Sequence, residues 1–516
     1  MGLIEIGIIL SLLITLMIGL FGSKQIKNKT ENYYVTGRNM SIPIVGLALV
    51  GQAIDGNSTL GNTTLSSDFG FWAGATMVIG LALALFLFGK FFAEKLNSMN
   101  LLTLADLFRI KYNRNIEVIA SILMIFSFGI LLAGNLAAVG ILMKIFFALN
   151  YETIIILISI MVVIYSMAGG LISDILTDLF QIGLLVFGLG LTLVYIVFKY
   201  GLELFTSGDL ISGMSITQMI FPGEGALINW ATIVALGFGN LLAIDFASRI
   251  FSARTPKIAK KGCYMGAWMT LIIGIPFSLL AFFIQSIGIS PVEGIPLLFV
   301  FSEEILPVFI SMFLISGIVG VSLSTIDGAI LSMGNILAHN VLNIKEGLKK
   351  VSSADYEKTY LYFTRLSLVP IAGIGMIFAM LLPSPGILLT VAFDIMFASL
   401  LVPFVFAFIS KKPDSNAALW AIICGGISRV LFAIFSPTSF GVDNTFFYIE
   451  NSIITTSLDG LGTIISPLIA LVVYLYVASQ TGKERKNYID IINSFFSNEH
   501  NLDTRRKNYK YNKEDE

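Results

Sequence analysis

Long apolar runs alternate with short polar breaks along nearly the whole chain. Most runs reach or approach the roughly 20 residues that an α-helix needs to cross about 30 Å of hydrocarbon. The pattern predicts an all-α polytopic membrane protein with about thirteen transmembrane helices. The approximate spans are 2–22, 41–64, 70–93, 115–148, 151–168, 170–198, 227–248, 263–288, 306–338, 360–381, 386–410, 416–435 and 456–479. The first run, Gly2 to Phe21, has no basic stretch before it, and its first positive charge, Lys24, follows it. It reads as a retained span and not as a cleaved leader.

Charge supports this count. With the N-terminus placed outside, 29 of the 32 Lys and Arg residues fall on inner segments or on the tail from Lys483 onward. Inner loops of membrane proteins carry an excess of base. The expected topology is therefore an outside N-terminus and a cytoplasmic C-terminus in the cell membrane. The outer segments hold Lys144 and Lys199 against Glu203, Asp209, Glu224, Glu293, Glu303 and Glu304. Trp72 and Trp230 fall near outer boundaries, where an aromatic belt accounts for them.

Composition narrows the function. Mean hydropathy is +0.86, and 13% of residues are charged, against roughly 25% in soluble domains. A net charge of −1 gives no basic field for nucleic acid. Cys263 and Cys424 cannot build a disulfide framework, and His339 and His500 cannot supply a zinc cluster with so few cysteines. There is no phosphate-binding loop and no nucleophile–base set, which argues against an enzyme.

The polar residues inside apolar spans are the informative ones. The second span contains VGQAIDGNSTLGN, Val50 to Asn62, where Gly51, Gly56 and Gly61 weaken the helix among Gln52, Asp55 and Asn57. The seventh contains LGFGNLLAID, with Gly237, Gly239 and Asn240 mid-span. Irregular backbone at membrane depth is tolerated where it lines a cavity or packs in protein. Two interrupted spans five apart are the mark of an inverted repeat with its site at the midplane. On this reading 1–40 is an extra span and inner loop, 41–199 the first repeat, 200–226 an outer loop, 227–410 the second repeat, 411–480 two accessory spans, and 481–516 a cytoplasmic tail. Gln52, Asp55, Asn57, Gly239 and Asn240 become the candidate solute site.

The sixth span carries GGLISDILTDLFQ, Gly169 to Gln181, with Asp174, Asp178 and Gln181 at successive turns. Like charges one turn apart repel, so at least one of these acids is expected near water or neutralised by a cation. Asp174 reads as a helix-start acid near the inner interface, and Asp178 as the functional one. The ninth span contains Ser324, Thr325 and Asp327, hard oxygen donors of the kind that suit sodium, by analogy with other hard cations. Asp245 and Arg249, four residues apart, read as a local helix pair. His339, near an inner helix end, reads as structural.

These pieces together resemble the sodium/solute symporter family. YYVTGRNMS (Tyr33 to Ser41), GGLISDILTDLFQ, RIFSARTPKIAKKG (Arg249 to Gly262) and SLSTIDG (Ser322 to Gly328) look like that family's motifs in the family's order. The resemblance implies about thirteen spans and a five-plus-five inverted repeat of the leucine-transporter type with two broken helices. It also implies co-transported sodium held by the carbonyls of Ala53, Gly56 and Val321 and the side chains of Ser324 and Thr325. Asp178 matches a family aspartate near a second sodium site or release path, with Gln181 and Asp327 beside it in this reading. Family members with that second site carry serines where Asp327 and Gly328 stand here. Asp55 matches the acid of the proline carriers, but the residues after it, Gly56-Asn57-Ser58, do not, so proline is not implied.

The reading is a sodium-coupled symporter that imports a small polar organic solute by alternating access, working as a monomer in lipid. Asp55 suggests an amine-bearing or amide-like solute. The alternatives are a proton-coupled carrier, with Asp178 or Asp327 as proton site, and a transport-like membrane sensor. Against the sensor, only the tail Thr481–Glu516 follows the last predicted span.

Overall fold

The computed structural model describes residues 2–480 except 28, 202–213, 290–294, 349–352, 382–385 and 445–447. The tail 481–516, the acids Glu203, Asp209 and Glu293 expected on outer segments, and His500 lie outside the described residues. Ten helices there are long and apolar enough to cross a membrane, and a helix pair bent by 50° makes an eleventh. The chain opens with α1 (Leu3–Gly22), followed by the interrupted pair α2 (Ile42–Ala53) and α3 (Asn62–Phe69), and then α4 (Phe71–Leu87). A short helix α5 (Ala105–Lys111) precedes the long α6 (Arg114–Phe147) and α7 (Tyr151–Tyr200). The bent pair is α8 (Ala226–Gly239) and α9 (Ile244–Ser252). Next come α10 (Pro256–Ser286), α11 (Val308–Ile336), α12 (Ser353–Leu366), α13 (Ile387–Ile409), α14 (Ser415–Phe435) and α15 (Leu461–Gln480).

At about 1.5 Å per residue the 50 residues of α7 span about 75 Å, more than two bilayer cores. Gly170 interrupts it with φ +51° and ψ −147°. A Cβ there would sit 2.6 Å from the Tyr33 ring and 2.7 Å from the Tyr33 carbonyl oxygen, so only glycine fits. The expected thirteen would require dividing α7 at Gly170 and counting α2 with α3 as one interrupted crossing, beyond the ten or eleven spans among the described residues.

The centre of the molecule is α11, buried along most of its length. Small residues let its neighbours approach, which is how membrane helices associate when lipid removes the usual hydrophobic drive. A Cβ on Gly317 would fall 2.6 Å from the Leu185 Cα of α7, and one on Gly328 would collide with the Gln52 amide oxygen. The outer faces of α1, α7 and α14 expose Leu10, Met17, Val194, Phe198 and Val430, as expected of surfaces solvated by hydrocarbon.

Candidate ion and solute site

The interruption after α2 is built by side chains. Ile54 turns extended (φ −101°, ψ 101°) and ends the helical ladder. Asp55 and Ser58 then cap each other: the Ser58 amide donates to Asp55 Oδ1 at 2.7 Å, and the Asp55 amide donates to Ser58 Oγ at 2.7 Å. This reciprocal pair satisfies amides that a broken helix would otherwise bury unpaired. Asn135 of α6 completes the break. Its amide nitrogen donates to Asp55 Oδ2 (2.7 Å), and its oxygen accepts from the Gly56 amide (3.1 Å). The second interruption, between α8 and α9, is a turn at Asn240–Leu242 followed by an extended Ala243.

Two contacts join α11 to the end of α2 and the turn after it. Ser324 Oγ donates to the Gly51 carbonyl at 2.9 Å. A Cβ on Gly56 would collide with Ser322 Oγ, so contacts to α11 bracket Ala53 on both sides. Ala53, Gly56, Val321, Ser324 and Thr325 are all buried. The Thr325 hydroxyl and the Gln52 amide oxygen have no hydrogen-bond partner among the described residues.

Gln52, read from the sequence as a solute residue, lies against Ser324 and Asp178. Its nitrogen donates to Asp178 Oδ1 (3.2 Å) and to the carbonyl and hydroxyl of Ser324 (3.1 Å each). The other four candidate solute residues divide into two groups. Asp55 accepts from Asn57 (3.2 Å), whose own oxygen accepts from the Gly386 amide (3.0 Å) at the start of α13. Gly239 backs onto the Phe393 carbonyl of α13, which leaves no room for a Cβ. Asn240 donates to the Leu236 carbonyl, and its own oxygen is buried without a partner among the described residues.

Arg249 changes the reading of the acids. It is fully buried and bonds Asp174 Oδ2 at 2.5 Å and Asp178 Oδ2 at 3.0 Å. The expected local pair with Asp245 is corrected: Arg249 reaches only the Asp245 main-chain carbonyl, at 3.3 Å, while the Asp245 carboxylate accepts the Phe246 amide. Asp174 is also corrected. It is buried, because the second half of α7 starts inside the protein under Tyr33 and not at a water interface. Asp178 bonds Ser324 as well as Gln52 and Arg249. Asp327 accepts from Ser166, and its second oxygen has no partner among the described residues. Gln181 donates to Thr15 of α1 at 3.4 Å. Asp178, Asp327 and Gln181 thus each bond other residues and not one another.

Sequence reasoning missed Asn135, Ser166 and the long-range role of Arg249. The signal for Asn135 was available, since a lone amide midway along an apolar span is costly unless it has work to do. His339, read as structural, bonds Asp106 (3.2 Å) and the Tyr360 hydroxyl (2.6 Å).

The sodium:solute symporter family model matches residues 33–425. Among curated relatives, the uncharacterized symporter YwcA of Bacillus subtilis is 22% identical over 443 residues, covering 82% of this chain and 84% of its own length. Sodium/proline symporter 2 of Staphylococcus saprophyticus is 22% identical over 504 residues, covering 94% of each. Among solved structures, a Na+-coupled sialic acid symporter in a substrate-bound outward-open state superposes with a TM-score of 0.74 at 17% identity, covering 93% of this chain and 98% of that one. The shared fold is the all-α inverted repeat with two broken helices. The chain belongs to the sodium:solute symporter family, and is a multi-pass membrane transporter, not an enzyme, with sodium as its co-transported ion.

Proposed function

We propose that this transporter imports a small polar organic solute together with sodium, and that the ion sits between the end of α2 and the middle of α11. The carbonyls of Ala53, Gly56 and Val321 and the hydroxyls of Ser324 and Thr325 are its ligands. The observation that carries the reading is the Thr325 hydroxyl, buried with no hydrogen-bond partner among the described residues, next in the chain to Ser324, whose hydroxyl bonds the Gly51 carbonyl near the end of α2. An unpaired polar atom at that depth costs free energy unless a ligand satisfies it. Asp55 and Asn57 on one side, and Gly239 and Asn240 on the other, hold the solute. Gln52 links the solute side to the ion side. Asp178, with Gln181 and Asp327 near it, lies on the path by which sodium leaves, since its carboxylate touches both Ser324 and Arg249. The protein works as a monomer in the cell membrane, with its N-terminus outside and its C-terminus in the cytoplasm.

The test is thermal unfolding of the purified protein in sodium against potassium chloride. At ten times its Kd a bound ion adds about 1.4 kcal/mol, so unaltered protein unfolds at a higher temperature in sodium. Thr325→Ala is expected to lose most of that difference while keeping its midpoint in potassium. An equal sodium effect in Thr325→Ala removes this site. A screen of solutes with and without sodium then identifies the cargo as the compound that stabilises only when sodium is present. Uptake into proteoliposomes under a sodium gradient, compared with a proton gradient, fixes the coupling ion.

A further inference from the structure

A cavity of about 430 Å3 opens beside α8, away from the α2–α11 seam. Its walls come from α3 (Leu65, Phe69), α4 (Ala73, Met77), α8 (Ile228, Asn229, Thr232) and α13 (Ile387, Thr390), together with Gln218 and Glu224 from the segment before α8. Its last wall is Phe440 and Gly441, at the tip of a two-stranded hairpin between α14 and α15. The hairpin lies outside both predicted repeats.

The hairpin is fixed in place. Buried Asp459 accepts from Thr438 Oγ1 and from the Gly441 amide, both at 2.8 Å. Phe440 packs on Ala231 and Ala235 of α8 and is 6% exposed. Its φ is +50°, a left-handed conformation that L-residues rarely adopt. A strained residue of this kind persists only where its surroundings hold it, and such sites cluster where ligands are bound.

The chemistry of the lining is specific. Thr232 and Thr390 stand on facing helices, and both contribute to the cavity wall. Glu224 is exposed at the rim, and no Lys or Arg is among the described lining residues. The remaining wall is mostly apolar. Cavities of 300–1,000 Å3 that combine apolar walls with a few polar groups are the usual shape of small-molecule sites.

We propose that this outer cavity admits the solute and selects it: Glu224 favours a positively charged amine, Thr232 and Thr390 bond the polar part, and Phe440 limits the width of the apolar part. The inference rests on the import reading and adds the solute class, a small amine with an apolar body and not a bare carboxylate. Phe440 and Glu224 act as specificity-determining residues.

The experiment uses four probes on purified full-length protein in sodium: 2-phenylethylamine, its uncharged alcohol analogue, phenylacetate, and the wider 2-(1-naphthyl)ethylamine. Binding is read by isothermal titration. The amine is expected to bind, with the alcohol weaker and phenylacetate weakest. Glu224→Gln should cut the amine's advantage over phenylacetate by about fivefold, the ceiling for an exposed ion pair. Phe440→Ala should improve binding of the naphthyl probe relative to the phenyl one by at least about fivefold, and Phe440→Leu should do so by less. The inference is overturned if no probe binds at millimolar concentration, if phenylacetate equals the amine, or if neither substitution changes these ratios. Those failures beside an intact sodium-dependent thermal shift sink this inference alone. Loss of the sodium shift in the unaltered protein sinks the reading beneath it.

Discussion

Arg249 neutralises two aspartates that sequence spacing alone would set against each other. Asp174 and Asp178 share a helix face, and one guanidinium nitrogen reaches both. Truncating one member of a buried ion pair strands the other charge and costs about 3–5 kcal/mol. Arg249→Gln strands two acids at once and should therefore lower the unfolding midpoint more than Asp174→Asn, Asp178→Asn or Thr325→Ala. The two acids should then separate by role. The Asp174 carboxylate bonds Arg249 and no other side chain among the described residues, whereas the Asp178 carboxylate also bonds Ser324 and Gln52. Asp174→Asn is expected to destabilise in sodium and potassium alike. Asp178→Asn is expected to change the midpoint difference between the two salts. Matched effects of the two variants on that difference would remove Asp178 from the ion path. The triad is hidden in the sequence because its members lie 71 and 75 residues apart, while Asp245 offers Arg249 a partner one turn away. The local pairing rule points to Asp245, and the tertiary contact wins.

At the scale of elements, the breaks are readable in the sequence and their supports are not. Gly169-Gly170 inside an apolar run marks the division of α7, and the glycine-rich stretch around Asp55 marks the end of α2, because glycine weakens a helix wherever it sits. What satisfies the broken ends comes from elsewhere in the chain: Asn135 bonds Asp55 and the Gly56 amide, and the Tyr33 hydroxyl donates to the Ser166 carbonyl one turn before Gly170. The hairpin at Phe440 is unreadable, since strands of two residues carry no periodic signal. Gly170→Ala should cost at least about 2 kcal/mol, combining a backbone region open mainly to glycine with overpacking against Tyr33. A fall in midpoint without loss of sodium response would check it. The short helix α5 supplies a second case. Asp106 is partly buried (13% of its side chain exposed), which opposes its charge, but hydrogen bonds from His339, the Thr103 amide and Asn340 outweigh burial and hold its carboxyl below the usual range. A carboxyl lowered on folding stabilises the fold above the unfolded-chain pKa and loses that contribution as pH falls through the folded value. Asp106→Asn should thus cost about 2 kcal/mol at pH 7, and the difference from unaltered protein should narrow as pH drops below the ordinary carboxylate range of about 4. A pH-independent difference would assign the loss to packing.

For the whole molecule, the decisive quantity is the charge that crosses with each cycle. The cavity beside α8 has a carboxylate and no base among its described lining residues, and the sodium site proposed at Thr325 consists of uncharged oxygens. A neutral or zwitterionic solute with one sodium moves one net charge, and a cationic amine with one sodium moves two. Each charge falling through 100 mV yields about 2.3 kcal/mol, which is about 50-fold in accumulation because 1.4 kcal/mol is about tenfold. In proteoliposomes with equal sodium on both sides, an inside-negative potassium diffusion potential should drive uptake by itself. The steady-state ratio should rise about 50-fold per 100 mV for a neutral cargo and by the square of that factor for a cation with one sodium. A ratio indifferent to voltage would mean that no net charge crosses, as when one sodium travels with a monoanionic cargo or a compensating charge returns with every cycle. That result would contradict a neutral or cationic cargo moved with sodium alone. The measured slope therefore reports the net charge moved per cycle, the sum of the sodium ions and the cargo's own charge, wherever in the protein the ion and the solute bind.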